Sequence, residues 1–138
     1  MNASKVDPRA PRPPPYQFTR ERILLVEDDS MISELAMQLL EDSNVEVIGP
    51  ASTLAQAIEL ILTEPVDAAI LDVNLGTETS FPAAALLRQR GIPFFYTTAF
   101  ANRAHPDVAA EAFLPKPYRA RQLVETLRDV LARPKPDT

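Results

Sequence analysis

The chain has 138 residues and a formal net charge of −5, with 46% apolar and 24% charged residues. That length supports one domain with a core, and the acidic balance argues against nucleic acid as the main partner. The absence of cysteine excludes disulfides and cysteine zinc sites, and a lone histidine excludes a multi-histidine metal site.

No apolar run approaches the roughly 20 residues of a membrane span, and no apolar segment follows the basic N-terminus as in a secretory signal. We therefore expect a cytoplasmic protein that does not contact a membrane.

The proline content distinguishes the N-terminal segment from the rest of the chain. Residues 1–20 hold five of the fourteen prolines, and proline removes backbone donors and favours extended geometry. We expect a disordered or extended N-terminal tail over 1–20, one domain over 21–133 and a C-terminal tail over 134–138. The simplest interpretation of the first tail is a solvated arm; the segment PRPPP at 11–15 is alternatively a docking ligand for an aromatic groove.

Between the tails, apolar runs typical of strands alternate with helical periodicity. The predicted strands cover 23–26, 45–49, 66–73, 92–98 and 111–114, and the predicted helices cover 29–41, the stretch between Thr53 and Pro65, 80–90 and 123–131. A further helix is expected within 99–110, where Pro106 should leave it short, late-starting or mobile. Continuously apolar central strands favour a parallel sheet with helices on both faces, an α/β doubly wound fold.

Polar residues stand where the predicted strands end. Glu27 and Asp28 follow the first strand, Asp72 ends the third, Thr98 ends the fourth and Lys116 follows the fifth. The carboxyl ends of parallel strands meet at one edge, so these groups should converge there. Clustered carboxylates suit Mg²⁺, a lysine suits phosphate, and a carboxylate can attack phosphorus. The pattern predicts a magnesium-assisted aspartyl phosphate.

The motifs VEDD after the first strand, LDVNL at the third, TTA after the fourth and KP after the fifth together resemble a response-regulator receiver domain of two-component signalling. The resemblance covers about residues 21–133. It implies a flavodoxin-like (βα)5 fold with five parallel strands in the order 2-1-3-4-5.

The resemblance also implies roles for the acids. Asp72 corresponds to the phosphorylated aspartate and Asp28 to the direct Mg²⁺ ligand. Glu27 would hold a coordinated water, and Asn74 would offer its backbone carbonyl to the metal.

On the phosphate side, the resemblance makes Thr98 the switch hydroxyl and Lys116 its ion-pairing partner, with a cis Lys116–Pro117 bond. Phe113 takes the place of the switch aromatic, often tyrosine, and has no hydroxyl. Phe100, two residues after the threonine, is bulkier than most residues there.

Some of these residues have simpler interpretations. The acids at 27–29 alone would suit a capped helix start on a solvated loop, and Asp29 is expected to be an N-cap. Thr97 competes with Thr98, but strand alternation lets only one face the crevice, and the family spacing selects Thr98. His105 is expected to be a plain loop histidine.

The implied function is that of a stand-alone receiver, not an enzyme. A histidine kinase or histidine phosphotransfer protein would donate the phosphoryl group, and output would be contact with an unknown protein, or phosphate storage as a shuttle or sink. A homodimer through the fourth helix, fifth strand and fifth helix is a further possibility. One alternative is a phosphorylation-independent docking module with the same fold. A phosphatase of the aspartate-nucleophile class is disfavoured, since it needs an aspartate where Asn74 stands.

Overall fold

A computed structural model of the chain describes residues 17–99, 106–109 and 111–133. The predictions for most of the N-terminal tail, the PRPPP segment, Phe100, His105 and the C-terminal tail lie outside the described residues.

Five strands form the main sheet because their apolar side chains can be buried on both faces. They are β1 (Arg22–Val26), β2 (Glu46–Ala51), β3 (Ala68–Asp72), β6 (Phe94–Thr98) and β7 (Phe113–Pro115), and two short strands, β4 (Asn74–Leu75) and β5 (Glu78–Thr79), lie between β3 and β6 in the chain. The large sheet is parallel with the order β2-β1-β3-β6-β7, and β4 and β5 form a separate antiparallel pair. When only the five strands of the large sheet are numbered, this is the predicted order 2-1-3-4-5.

Helices cover both faces of this sheet, as the unbroken apolar strands predict. They are α1 (Ser30–Asp42), α2 (Leu54–Thr63), α3 (Phe81–Gln89), α4 (Pro106–Ala109) and α5 (Ala120–Leu131). Among the described residues, none of the helices has the length and apolar character needed to cross a membrane.

Strand alternation sorts the core into two layers. Leu24 and Tyr96 belong to the layer that holds the buried residues of α2 and α3, whereas Ile23 and Phe95 belong to the layer of α1 and α5. Each fully buried side chain of this size contributes about 1.5–3 kcal/mol. Packing on both faces holds the strands in place, and with them the residues at the carboxyl edge of the sheet.

Capping residues set the starts of α1 and α2. The Asp29 carboxylate accepts hydrogen bonds from the backbone N–H groups of Met31 and Ile32, so the predicted N-cap is confirmed. Thr53 accepts from the N–H of Gln56, but the Gln56 side chain accepts from the N–H of Ser52. Thr53 and Gln56 therefore form only half of a capping box, because the Gln56 side chain reaches back to the residue before the N-cap.

Pro106 belongs to the fourth helix. The described residues of α4 are Pro106–Ala109, and the residues on either side lie outside the described part of the chain, so the expectation of a short or late-starting helix stays a prediction. Proline is well suited to the first turn of a helix, where its missing N–H would have no intrahelical partner. Val108 is buried against the layer of α2 and α3 and anchors this helix.

Two features were not predicted from the sequence. Leu75 and Glu78 pair to close a two-residue hairpin between β4 and β5, and Gly76 opens its turn at φ +69°, a conformation that glycine adopts without strain. Residues 17–20 fall in the predicted tail, yet Phe18 is buried in the layer of α1 and α5. Its N–H donates to the Ser43 carbonyl at 2.9 Å.

Candidate functional site

Two buried carboxylates and one lysine meet at the carboxyl edge of the sheet. Glu27 follows β1 and is 4% exposed, and Asp72 ends β3 and is 7% exposed. The Lys116 Nζ, just after β7, lies 2.8 Å from Glu27 Oε1 and 3.1 Å from Asp72 Oδ2. The structure thus brings together three of the residues predicted to converge. One ammonium is shared between two carboxylates that burial would otherwise penalise.

A third carboxylate, that of Asp28, completes an acidic cluster with the other two. One carboxylate oxygen from each of Glu27, Asp28 and Asp72 lies within 4.8 Å of the others. Asp28 is exposed, while Glu27 and Asp72 are buried. Such an all-oxygen cluster with a water-accessible side fits Mg²⁺, which binds through few carboxylates and keeps several waters. This arrangement is typical of the magnesium site of receiver domains.

Backbone groups orient two of these acids. The Asp29 N–H donates to Glu27 Oε2 at 3.1 Å, and the Gly76 N–H donates to Asp28 Oδ2 at 2.9 Å. The second bond links the end of β1 to the hairpin turn that follows β3. Sequence reasoning missed Gly76; the available signal was a glycine opening a two-residue turn, NLGTET.

The environment changes the proton affinity of the central groups. Burial, and then the hydrogen bond and negative charge of Glu27, raise the pKa of Asp72 from 3.8 to about 7, although Lys116 acts in the opposite direction. Burial alone would lower the pKa of Lys116, but hydrogen bonding and charge from Glu27 and Asp72 raise it above its usual value. Lys116 therefore stays protonated. Ionisation of Asp72 in the folded chain costs free energy, and a bound cation would reduce that cost.

The two threonines at the end of β6 lie on opposite faces, as alternation predicts. Thr98 is fully buried, and its hydroxyl donates to the Ala99 carbonyl at 3.0 Å. Its own carbonyl accepts from the Lys116 N–H at 2.8 Å, which ties the end of β6 to the lysine. Thr98 follows Tyr96 by two residues, and Tyr96 pairs in register with Phe113, so Thr98 and Phe113 share a face of the sheet.

The other predicted positions are placed as follows. Phe113 is half-buried and packs against the layer of α2 and α3, and Asn74 is exposed at the start of the hairpin. The Lys116–Pro117 bond is cis, as predicted. Tyr118, which the sequence analysis did not single out, is half-buried beside the cluster; burial and then the charge of Glu27 raise its pKa.

Comparisons with known proteins agree with this geometry. Residues 23–128 match the family described as the response regulator receiver domain. The chain is 29% identical over 116 residues to the transcriptional regulatory protein YvrH of Bacillus subtilis, covering 80% of this chain and 49% of that protein. It is 32% identical over 117 residues to the transcriptional regulatory protein CpxR of Escherichia coli, covering 81% of this chain and 50% of that protein.

A solved structure gives the same result. The non-phosphorylated HemR receiver domain of Leptospira biflexa superposes with a TM-score of 0.72 at 28% identity, covering 86% of this chain and 99% of that one. The chain belongs to the response regulator receiver domain family, a signalling module of two-component systems rather than a catalytic enzyme. It spans about half the length of the curated relatives it matches.

Proposed function

We propose that Asp72 accepts a phosphoryl group from the phosphohistidine of a histidine kinase or a histidine phosphotransfer protein. An Asp72 carboxylate oxygen forms the new bond to phosphorus while the bond between phosphorus and the donor imidazole nitrogen breaks. The leaving imidazole keeps that electron pair and takes up a proton. The observation that carries the proposal is Lys116 Nζ, 3.1 Å from Asp72 and 2.8 Å from Glu27, at the carboxyl edge of the sheet.

Asp28, Asp72 and the backbone carbonyl of Asn74 would hold Mg²⁺, and Glu27 would hold one of its waters. Bound there, the ion would offset the charge that gathers on the phosphoryl oxygens during transfer. The fit rests on three carboxylate oxygens within 4.8 Å of one another, one residue of which faces water.

The remaining residues would bind the product and report it. Lys116 pairs with a phosphoryl oxygen, and the Thr98 hydroxyl leaves the Ala99 carbonyl to donate to another. Phe113, half-buried on the same face, then repacks into the space that the threonine vacates. A local change in charge thus biases the surface around β7 between two arrangements.

The output we propose is contact with another protein, or storage of phosphate as a shuttle or sink, in the cytoplasm. The surface of α4, β7 and α5 would serve for a homodimer. The transcriptional role in the names of YvrH and CpxR belongs to those proteins, of which this chain matches about half.

Intact-mass measurement tests the transfer step. After incubation with a small phosphodonor and Mg²⁺, we expect a single phosphate adduct that disappears when Mg²⁺ is chelated. Asp72→Asn should abolish the adduct, because an amide oxygen cannot act as the nucleophile. Asp129→Asn, at an exposed position on α5, is the matched control and should be phosphorylated like the wild type.

A different result would favour the docking module. If several donors give no adduct on a folded chain that still binds Mg²⁺, the phosphorylation proposal fails. Turnover of a generic phosphate ester would instead revive the phosphatase interpretation.

Thr98→Ala separates phosphorylation from switching. We expect the variant to form the adduct but to lose the phosphorylation-dependent shift of the Phe113 ring signals in an NMR spectrum, because the alanine has no hydroxyl to draw inward. Thr97→Ser, on the opposite face of β6, keeps a hydroxyl and should keep the shift. If the shift persists in Thr98→Ala, the role assigned to Thr98 is wrong.

A further inference from the structure

An apolar groove lies between α1 and the residues that join β7 to α5. Its volume is about 610 Å³. Its walls are Ile32, Leu35, Ala36 and Leu39 on one side and Pro117 and Tyr118 on the other. Two large apolar side chains of α1 are in solvent here, since Leu35 is 62% exposed and Met31, one turn earlier, is 71% exposed. Exposed apolar side chains beside a groove are typical of a surface that binds another protein.

The two helices that flank the groove carry opposite charges. Helix α1 has no lysine or arginine. Its acids, all exposed, are Glu34, Glu41 and Asp42. On the other side, exposed Arg119 and Arg121 stand before and after Ala120, which also lines the groove, and three arginines outnumber two acids over 119–131. Helix α1, the groove and residues 117–131 thus form one surface, the α1–α5 face, with an acidic side and a basic side.

The α1–α5 face is complementary to itself. Helices α1 and α5 run in the same direction, because each follows a strand of the same parallel sheet. A two-fold axis along the groove would place α1 of each copy against α5 of the other, with the helix starts at the same end. Glu34, in the first half of α1, would then lie near Arg119 of the second copy. Symmetric dimers are built on self-complementary surfaces of this kind.

The charges disfavour the other symmetric arrangement. A two-fold axis across the groove would place α1 of one copy against α1 of the other. The acids of both helices would then meet with no lysine or arginine of α1 to offset them. Like charges brought together at an interface cost free energy, so the pairing of α1 with α5 is favoured.

We propose that a second copy of this chain binds at the α1–α5 face, with α1 of each copy against the start of α5 of the other. Leu35 and Met31 lie in the contact. Ala99 and Lys116 also line the groove, so the second copy lies next to the acidic cluster. The association does not depend on phosphorylation of Asp72, and it uses α1, which the surface of α4, β7 and α5 does not include.

Sedimentation velocity of the unphosphorylated full chain measures the association. We expect the average mass to rise with protein concentration, and the dissociation constant to rise with salt, because salt screens exposed charges. Leu35→Glu should raise the dissociation constant about tenfold or more. Leu62→Glu, at a position 52% exposed on α2, is the matched control and should leave it unchanged. A chain that stays monomeric, or an association that Leu35→Glu leaves intact, would overturn the proposal.

Charge reversal tests the arrangement of the two copies. Glu34→Arg alone and Arg119→Glu alone should each weaken the association about tenfold, because each creates like-charge contacts at two symmetric places. An equal mixture of the two variants should recover the affinity of the wild type, since every such contact then pairs an acid with a base. Glu59→Arg, at an exposed position on α2, is the control for the change in net charge and should have little effect.

Two results of the charge reversal would contradict the proposal. A mixture that associates as weakly as the single variants would show that Glu34 and Arg119 do not meet across the interface. Stronger association of Glu34→Arg alone would place α1 against α1. Either result overturns the proposed dimer, whereas failure of Asp72 to accept phosphate would leave it in place.

Discussion

Lys116→Met is expected to destabilise the metal-free receiver by about 3–5 kcal/mol at about pH 8. The ammonium contacts Glu27 at 2.8 Å and Asp72 at 3.1 Å, and both carboxylates are buried. Removing it leaves their charges without the partner that offsets the loss of hydration. Urea unfolding with a chelator present measures the change in free energy.

The loss should be smaller at about pH 6, because Asp72, whose pKa is about 7, is then mostly protonated. Arg121→Met is the matched control, since Arg121 is exposed and pairs with Glu125 on the surface at 3.4 Å. Such a pair contributes about 0.3–0.5 kcal/mol. Equal losses in the two variants would show that the lysine does not hold the buried acids together.

Asp72→Asn is expected to have the opposite effect and to raise the free energy of unfolding of the metal-free receiver. The unfolded chain releases the Asp72 proton near 3.8 and the folded chain near 7, so the folded state binds more protons between these values. Stability therefore falls as pH rises through this window, by up to about 4 kcal/mol. The pKa of about 7 already includes the favourable contact with Lys116, so the amide removes the net penalty. Burying the amide without all of its hydrogen bonds has a cost of its own, and we expect a net gain of about 2 kcal/mol at about pH 8.

Unfolding curves from about pH 5 to 8 should show a gain that grows with pH. Excess Mg²⁺ should raise the stability of the wild type more than that of the variant, because a divalent cation relieves repulsion that the amide has already removed. Asp129→Asn should follow the wild type at every pH. A variant less stable than the wild type at the upper pH would mean that the Lys116 contact outweighs the cost of burying Asp72.

Apolar runs that end in polar residues were enough to predict the sheet and much of the cluster. Parallel strands bring their carboxyl ends to one edge, so Glu27, Asp72 and Lys116 meet although up to 89 positions separate them along the chain. The N-cap at Asp29 followed from local chemistry in the same way. These are features that side-chain type and order determine without knowledge of the turns.

Other features depended on turns and isolated residues that carry no periodic signal. The predicted second strand stops at Gly49, but β2 continues to Ala51, with an irregular register against β1 between Leu24 and Val26. The predicted fifth strand, 111–114, begins two residues before β7. Phe18 follows a proline-rich segment and is itself followed by four polar residues, 19–22, so only tertiary contacts reveal that it is buried.

The hydrogen bond between Gly76 and Asp28 has a consequence for the choice of cation. With Oδ2 accepting from the Gly76 N–H at 2.9 Å, Asp28 has its other oxygen free of this hydrogen bond, which favours ligation through that one oxygen. Ca²⁺ draws on 6–8 oxygens and often takes both from a carboxylate, whereas Mg²⁺ is satisfied by single oxygens in a small octahedron. At the proposed site, the backbone amide of Gly76 would thereby favour the smaller of the two ions without being a ligand of either.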